Sequence, residues 1–188
     1  MSQGVAGAGL PKAESQFIKC LVPLIRLIFS WKLSLFFINR EVRIIKKLLQ
    51  KVKKEDLQKQ VVIKRAFAIE DHSRDYSINM TLEHLKITGY AIMNVIDTLS
   101  KEREIEKEVK VELVKPKDNS ESEHEQFFEL MKKYNSFITN HPKNYSKTTK
   151  AHPWFVNFNN FDWACFMFMN TFIHRRQIQA IIKELDYE

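Results

Sequence analysis

Residues Asn159–Glu184 read NNFDWACFMFMNTFIHRRQIQAIIKE, and this stretch decides the fold class. The paired asparagines offer an N-cap, and Asp162 falls in the first turn, where the helix dipole favours a carboxylate. The run Phe161–Ile173 is apolar on nearly every side, which marks a buried, central helix rather than a surface one. One face collects Trp163, Met167, Asn170, His174, Ile178 and Ile181 at steps of three or four. Two polar side chains, Asn170 and His174, therefore sit one turn apart on an inward face.

The rest of the chain supplies partners of the same kind. Ile78–Leu99 carries an apolar stripe at Ile78, Leu85, Ile92, Ile96 and Leu99, with Ser77 as its N-cap. A third helix is predicted over Ser120–Thr139, with Phe127, Leu130, Met131, Tyr134 and Phe137. Between them, Val109, Val111, Leu113 and Val114 alternate briefly as a short extended excursion. The chain has 188 residues and only 4 glycines, three of which lie in the first nine positions. That scarcity removes the Gly-rich phosphate loops of nucleotide-binding folds and the glycine turns of many-stranded β proteins. The class is all-α, with a four-helix bundle as the architecture and an additional N-terminal helix.

The formal charge of +7 is unevenly placed: residues 1–66 hold 14 Lys/Arg against 4 Asp/Glu. Within them Phe17–Ile38 is the most hydrophobic segment, interrupted by Lys19, Arg26 and Lys32. Those charges argue against a membrane span. Two readings stay open: a helix packed on the bundle, and an interfacial helix on an anionic membrane surface through residues 17–54. The stripe Val42, Ile45, Leu48, Leu49 and Val52 continues it with a basic outer face. The Lys/Arg run from Arg40 to Lys54 has no helix-turn-helix or zinc module around it, so nucleic acid is not the expected partner. Cys20 and Cys165 form no CxxC, and with no secretory signal the expected location is cytoplasmic, with a peripheral membrane association as the variant.

Among six histidines, His72, His124 and His141 lie in polar surroundings and read as surface residues. His84, between Thr81 and Thr88, and His174 read either as hydrogen-bonded core histidines or as ligands of a metal site inside the bundle. No inward carboxylate stands beside them, since Glu83 points away from the apolar stripe.

Two blocks resemble the DinB/YfiT-like superfamily. Asp71–Ser77 (DHSRDYS) followed by Met80–Leu85 (MTLEHL) is similar to the start of that family's second helix. His152-Pro153-Trp154-Phe155, then Trp163, then His174–Ile178 (HRRQI) resembles its HPxFG…W…HxxxHRxQI ending, and the likeness covers roughly residues 60–185. The resemblance implies a four-helix bundle, a homodimer, and a divalent ion, zinc or nickel, held by three histidines. It also implies metal-dependent hydrolase or thiol S-transferase activity, or else a non-catalytic bundle acting by association. By position the ligands are His84, Asn170 and His174. Asn170 departs from the expected histidine, and an amide oxygen is a poorer ligand for zinc or nickel than imidazole. Val156 stands where the family has glycine. The chain divides into a disordered start (1–13), an N-terminal apolar and basic helical region (14–58), and a DinB-like domain (59–188) onto which 24–58 packs.

Overall fold

The computed structural model describes residues 9–106 and 111–187. Five helices carry the fold: α1 (Lys12–Ile28), α2 (Trp31–Leu49), α3 (Ile78–Ser100), α4 (Glu123–Asn140) and α5 (Asn160–Glu184). The only sheet among the described residues is an antiparallel bridge of two-residue strands, β1 (Lys150–Ala151) and β2 (Asn157–Phe158).

Helix α5 organises the packing because its sequence offers no polar side to solvent along its first half. It lies along both α2 and α3, while α4 lies along α3 and more briefly along α2, and α1 rests on α5. Ile38 and Ile45 of α2, Ile92 and Ile96 of α3, Phe127 and Tyr134 of α4, and Met167 and Ile178 of α5 join one buried cluster. Both ends of this arrangement are tied by polar groups. Asn159 accepts the N–H of Asp162 while the Asp162 carboxylate accepts the N–H of Asn159, a reciprocal capping box. The fully buried Glu41 carboxylate on α2 takes Nε–H of Arg175 on α5 at 2.8 Å and the Arg40 guanidinium at 2.6 Å.

The apolar N-terminal segment forms two helices rather than one. α1 ends at Phe29 in extended backbone, and Ser30 Oγ accepts Leu33 N–H to start α2, turning the axes by 117°. Lys12 and Ala13, expected in a disordered start, open α1, and Gly9 N–H already bonds Glu70 Oε1 at 3.0 Å. No single helix among the described residues is long and apolar enough to cross a membrane; the bent α1–α2 pair meets that test only jointly, by length and composition.

Two local expectations are corrected. Val111–Val114 is a 3₁₀ turn instead of an extended excursion, because Val114 turns its carbonyl toward α3; Val109 lies outside the described residues. His141 is 7 % exposed and not a surface residue: its ring lies 4.5 Å from that of Trp31, and Nε2 meets Ser100 Oγ at 2.6 Å. Ser100 in turn accepts from Asn160 Nδ2, which also bonds Asn144 O, so a polar knot fastens the end of α3 to the start of α5.

Gly89 sits where α3 meets α4 and α5. A Cβ there would stand 2.6 Å from Leu130 Cδ2 and 3.0 Å from Met167 Cε, two side chains with no exposed surface to retreat to. Overpacking of this kind costs about 1–3 kcal/mol, against a gain of up to about 1 kcal/mol in helix propensity. Gly89→Ala should therefore lower the urea unfolding free energy, by roughly 1 kcal/mol. An unchanged or raised value would show that the three helices have room to spare.

Candidate functional site

A cleft of about 130 Å³ opens between the middle of α3, the first half of α5 and the segments around residues 68–76 and 152–155. His84, Asn170 and His174 all line it, together with the aromatic walls Tyr76, Trp163 and Phe166. The lining is mostly apolar, so its few polar atoms have little competition from water.

The 3.6-residue repeat brings His84 and His174 from facing helices to a ring-centroid separation of 4.4 Å, with planes inclined at 56°. The tautomer of each follows from its hydrogen bond. Val114 O can only accept, so His84 carries its proton on Nδ1 and donates it over 2.7 Å. Gln177 Nε2 donates to Ser73 O at 2.7 Å, which turns Gln177 Oε1 toward His174 Nδ1, again at 2.7 Å. His174 is therefore also an Nδ1–H tautomer. Each ring is left with an unprotonated Nε2, and His84 Nε2 lies 3.5 Å from Thr88 Oγ1. Fixing a histidine through Nδ1–H to an oxygen is the orientation that metal-ligating imidazoles use.

Burial keeps both rings neutral. It pushes His84 down to about 4, opposed by the Val114 bond and helped by the nearby His72. Burial likewise pushes His174 down to about 3, with His84 adding to the effect and Gln177 opposing it. Asn170 is 7 % exposed, and its Nδ2 has no hydrogen-bond partner among the described residues. A buried amide N–H₂ without a partner is costly, and here it belongs to a residue that lines the cleft.

Sequence reasoning missed three polar groups of this cleft. His72, read as a surface residue, is instead part of the lining, and its Nδ1 lies 3.0 Å from the buried Glu70 Oε2. Glu70 is also the inward carboxylate that periodicity could not find, because it precedes α3 in irregular chain. Burial lowers the pKa of His72, and Glu70 opposes that shift. His152 stacks on Phe155 at 4.4 Å and meets the Phe166 edge at 4.4 Å, a cage whose burial pushes it down to about 3. The HPWF motif itself was the signal for His152; its residues form the turn between β1 and β2, closed by His152 N–H to Val156 O. Val156 is not among the residues with left-handed backbone, so replacing glycine there introduces no strain. Glu83 does not line the cleft; it is buried on α3 and accepts the backbone N–H groups of Lys117, Asp118 and Asn119. His124 is part-exposed on α4 and not among the cleft's lining.

No group of three His, Cys, Asp or Glu among the described residues is placed to hold a metal ion, so any third protein donor at the histidine pair has to be of another kind. Compared with known proteins, the chain matches no family model, no curated protein and no solved structure.

His84, His152 and His174 are neutral in the fold and bind protons near pH 6.5 once unfolded. The unfolded chain then holds more protons between these limits, so stability is full above about pH 6.5 and falls as pH drops toward 4. The expected slope is about 1 kcal/mol per pH unit for each such histidine, read from urea unfolding between pH 7.5 and 4.5. His152→Leu should lower it by about a third. A pH-independent unfolding free energy would contradict the buried, neutral state of these rings.

Proposed function

We propose that the protein is a four-helix bundle of the DinB/YfiT type, formed by α2–α5 with α1 as the additional helix. In this reading its cleft is the active site of a metal-dependent hydrolase or thiol S-transferase acting on a small, largely apolar substrate. The observation that carries the reading is the histidine pair: two neutral imidazoles from facing helices, each fixed through Nδ1–H and each offering Nε2. That donor chemistry fits a divalent ion such as zinc or nickel, with His84 and His174 as imidazole ligands and the Asn170 amide as the third, weaker donor. When bound, such an ion lowers the pKa of a coordinated water or thiol.

The chain's own groups then have distinct work. The aromatic walls bind the apolar part of a substrate and exclude water. Gln177 orients His174 through its bridge to the Ser73 carbonyl, and Val114 orients His84. His72 is neutral and borders the same cleft, so it can take a proton, with Glu70 beside its Nδ1 to stabilise the imidazolium that results. This pair supplies the acid–base group that an enzyme at this site requires.

Calorimetric titration of metal-free protein with zinc and nickel tests the reading in three forms. Wild type should take up one ion, Asn170→His should bind it more tightly, and Gln177→Leu, at unchanged circular dichroism, should bind about 10–100-fold more weakly. Binding confined to Asn170→His would overturn the metal-dependent activity. No binding to either form would remove the metal reading altogether.

A further inference from the structure

We propose that the outward face of α1 is a docking surface for an anionic lipid bilayer. The helix is apolar on two sides: Val22 and Ile25 pack on the core, while Phe17, Leu24 and Leu27 stay exposed. Glu14 is drawn inward, accepting both guanidinium nitrogens of Arg65 and the N–H of Ala68. Ser15 Oγ donates to Trp154 O, and Arg26 reaches back to the nearly buried Asp162 carboxylate at 2.6 and 2.9 Å. These contacts pin α1 to the body at both of its ends.

On the other side, Phe17, Cys20, Leu24 and Leu27 follow one another at steps of three or four. Phe17 is 53 % exposed, Leu24 51 %, Leu27 82 % and its neighbour Ile28 65 %; Cys20 is a free, exposed thiol. A contiguous apolar face of this kind marks an interaction surface. Beyond the bend, Phe36 continues the exposed apolar surface on α2, linked through the Phe29–Phe37 and Phe36–Phe37 ring contacts.

Charge selects the occupant. Among the exposed residues of α1 and α2, seven are Lys or Arg and none is Asp or Glu; Arg26 and Arg40 are paired with Asp162 and Glu41, and Lys12, Lys32, Arg43, Lys46 and Lys47 make up the rest. The two acids of these helices, Glu14 and Glu41, are both turned inward onto arginines. An apolar face beside cations, with no exposed acid, matches the boundary between acyl chains and anionic headgroups. A second copy of the chain would bring the same cationic, acid-free surface against it, which like charge disfavours.

Co-sedimentation of the full chain with vesicles tests this, using phosphatidylcholine alone and phosphatidylcholine mixed with phosphatidylserine. The protein should pellet with the mixed vesicles and be released by added salt. Leu27→Glu, whose side chain makes little contact with the fold, should keep the wild-type melting temperature and lose about tenfold or more of the binding. Failure to bind the mixed vesicles, equal binding to both vesicle types, or undiminished binding by Leu27→Glu would each overturn the proposal. So would a wild-type dimer, seen by light scattering without vesicle binding, that Leu27→Glu converts to monomer.

Discussion

A helix that is apolar on almost every side has to be surrounded, and the fold answers to that requirement of α5. α2 and α3 flank it, α1 lies over it, and the HPWF turn closes against Trp163 and Phe166 near its start. Several of the polar groups that α5 does carry are held by a specific contact. Asp162 caps the helix and holds Arg26; Arg175 reaches Glu41; Gln177 spans from His174 to Ser73. Asn170 Nδ2, like Trp163 Nε1 on the same helix, is a buried donor without a partner among the described residues. The histidine pair exists because burying α5 places its inward polar residues against α3.

The cleft and the hydrogen-bond network around it form a connected unit. Val114 and Gln177 each hold one imidazole by its Nδ1–H, so both rings are oriented before any ligand arrives. Such preorganisation matters because a ring free to rotate would lose both tautomer and direction. Ser73 anchors the second of these bridges and neighbours His72, which links the irregular segment before α3 to the floor of the cleft. Aromatic walls make the environment poor in water, and this is why the histidines stay neutral and why the acid–base properties of the site differ from those of a surface cluster.

Much of this was legible in the sequence, for identifiable reasons. Ser77 and Asn159 were read as N-caps, and both side chains accept the expected backbone N–H. Helix periodicity put Asn170 and His174 on one inward face, and the motif resemblance named His84 as their counterpart on another helix. Other features depend on contacts between distant segments, which periodicity cannot register. His141 is buried because Trp31, more than a hundred positions away, packs against it. His72 and Glu70 sit in polar sequence, yet the chain folds them against α3 and α5. The break between α1 and α2 had a local signal, the Ser30 cap, but the predominantly apolar composition of Phe17–Ile38 outweighed it. The outward apolar face of α1 was hidden for a similar reason: composition marks a helix as apolar without saying which side its neighbours leave uncovered.

His84 and His174 meet in the cleft as Nδ1–H tautomers with both Nε2 atoms unprotonated. Long-range ¹H–¹⁵N correlation spectra of the imidazole rings measure this directly. At neutral pH both rings should show the Nδ1–H pattern, and zinc should shift the two Nε2 resonances while leaving Nδ1 protonated. An Nε2–H pattern for either ring, or Nε2 resonances indifferent to zinc, would contradict the account.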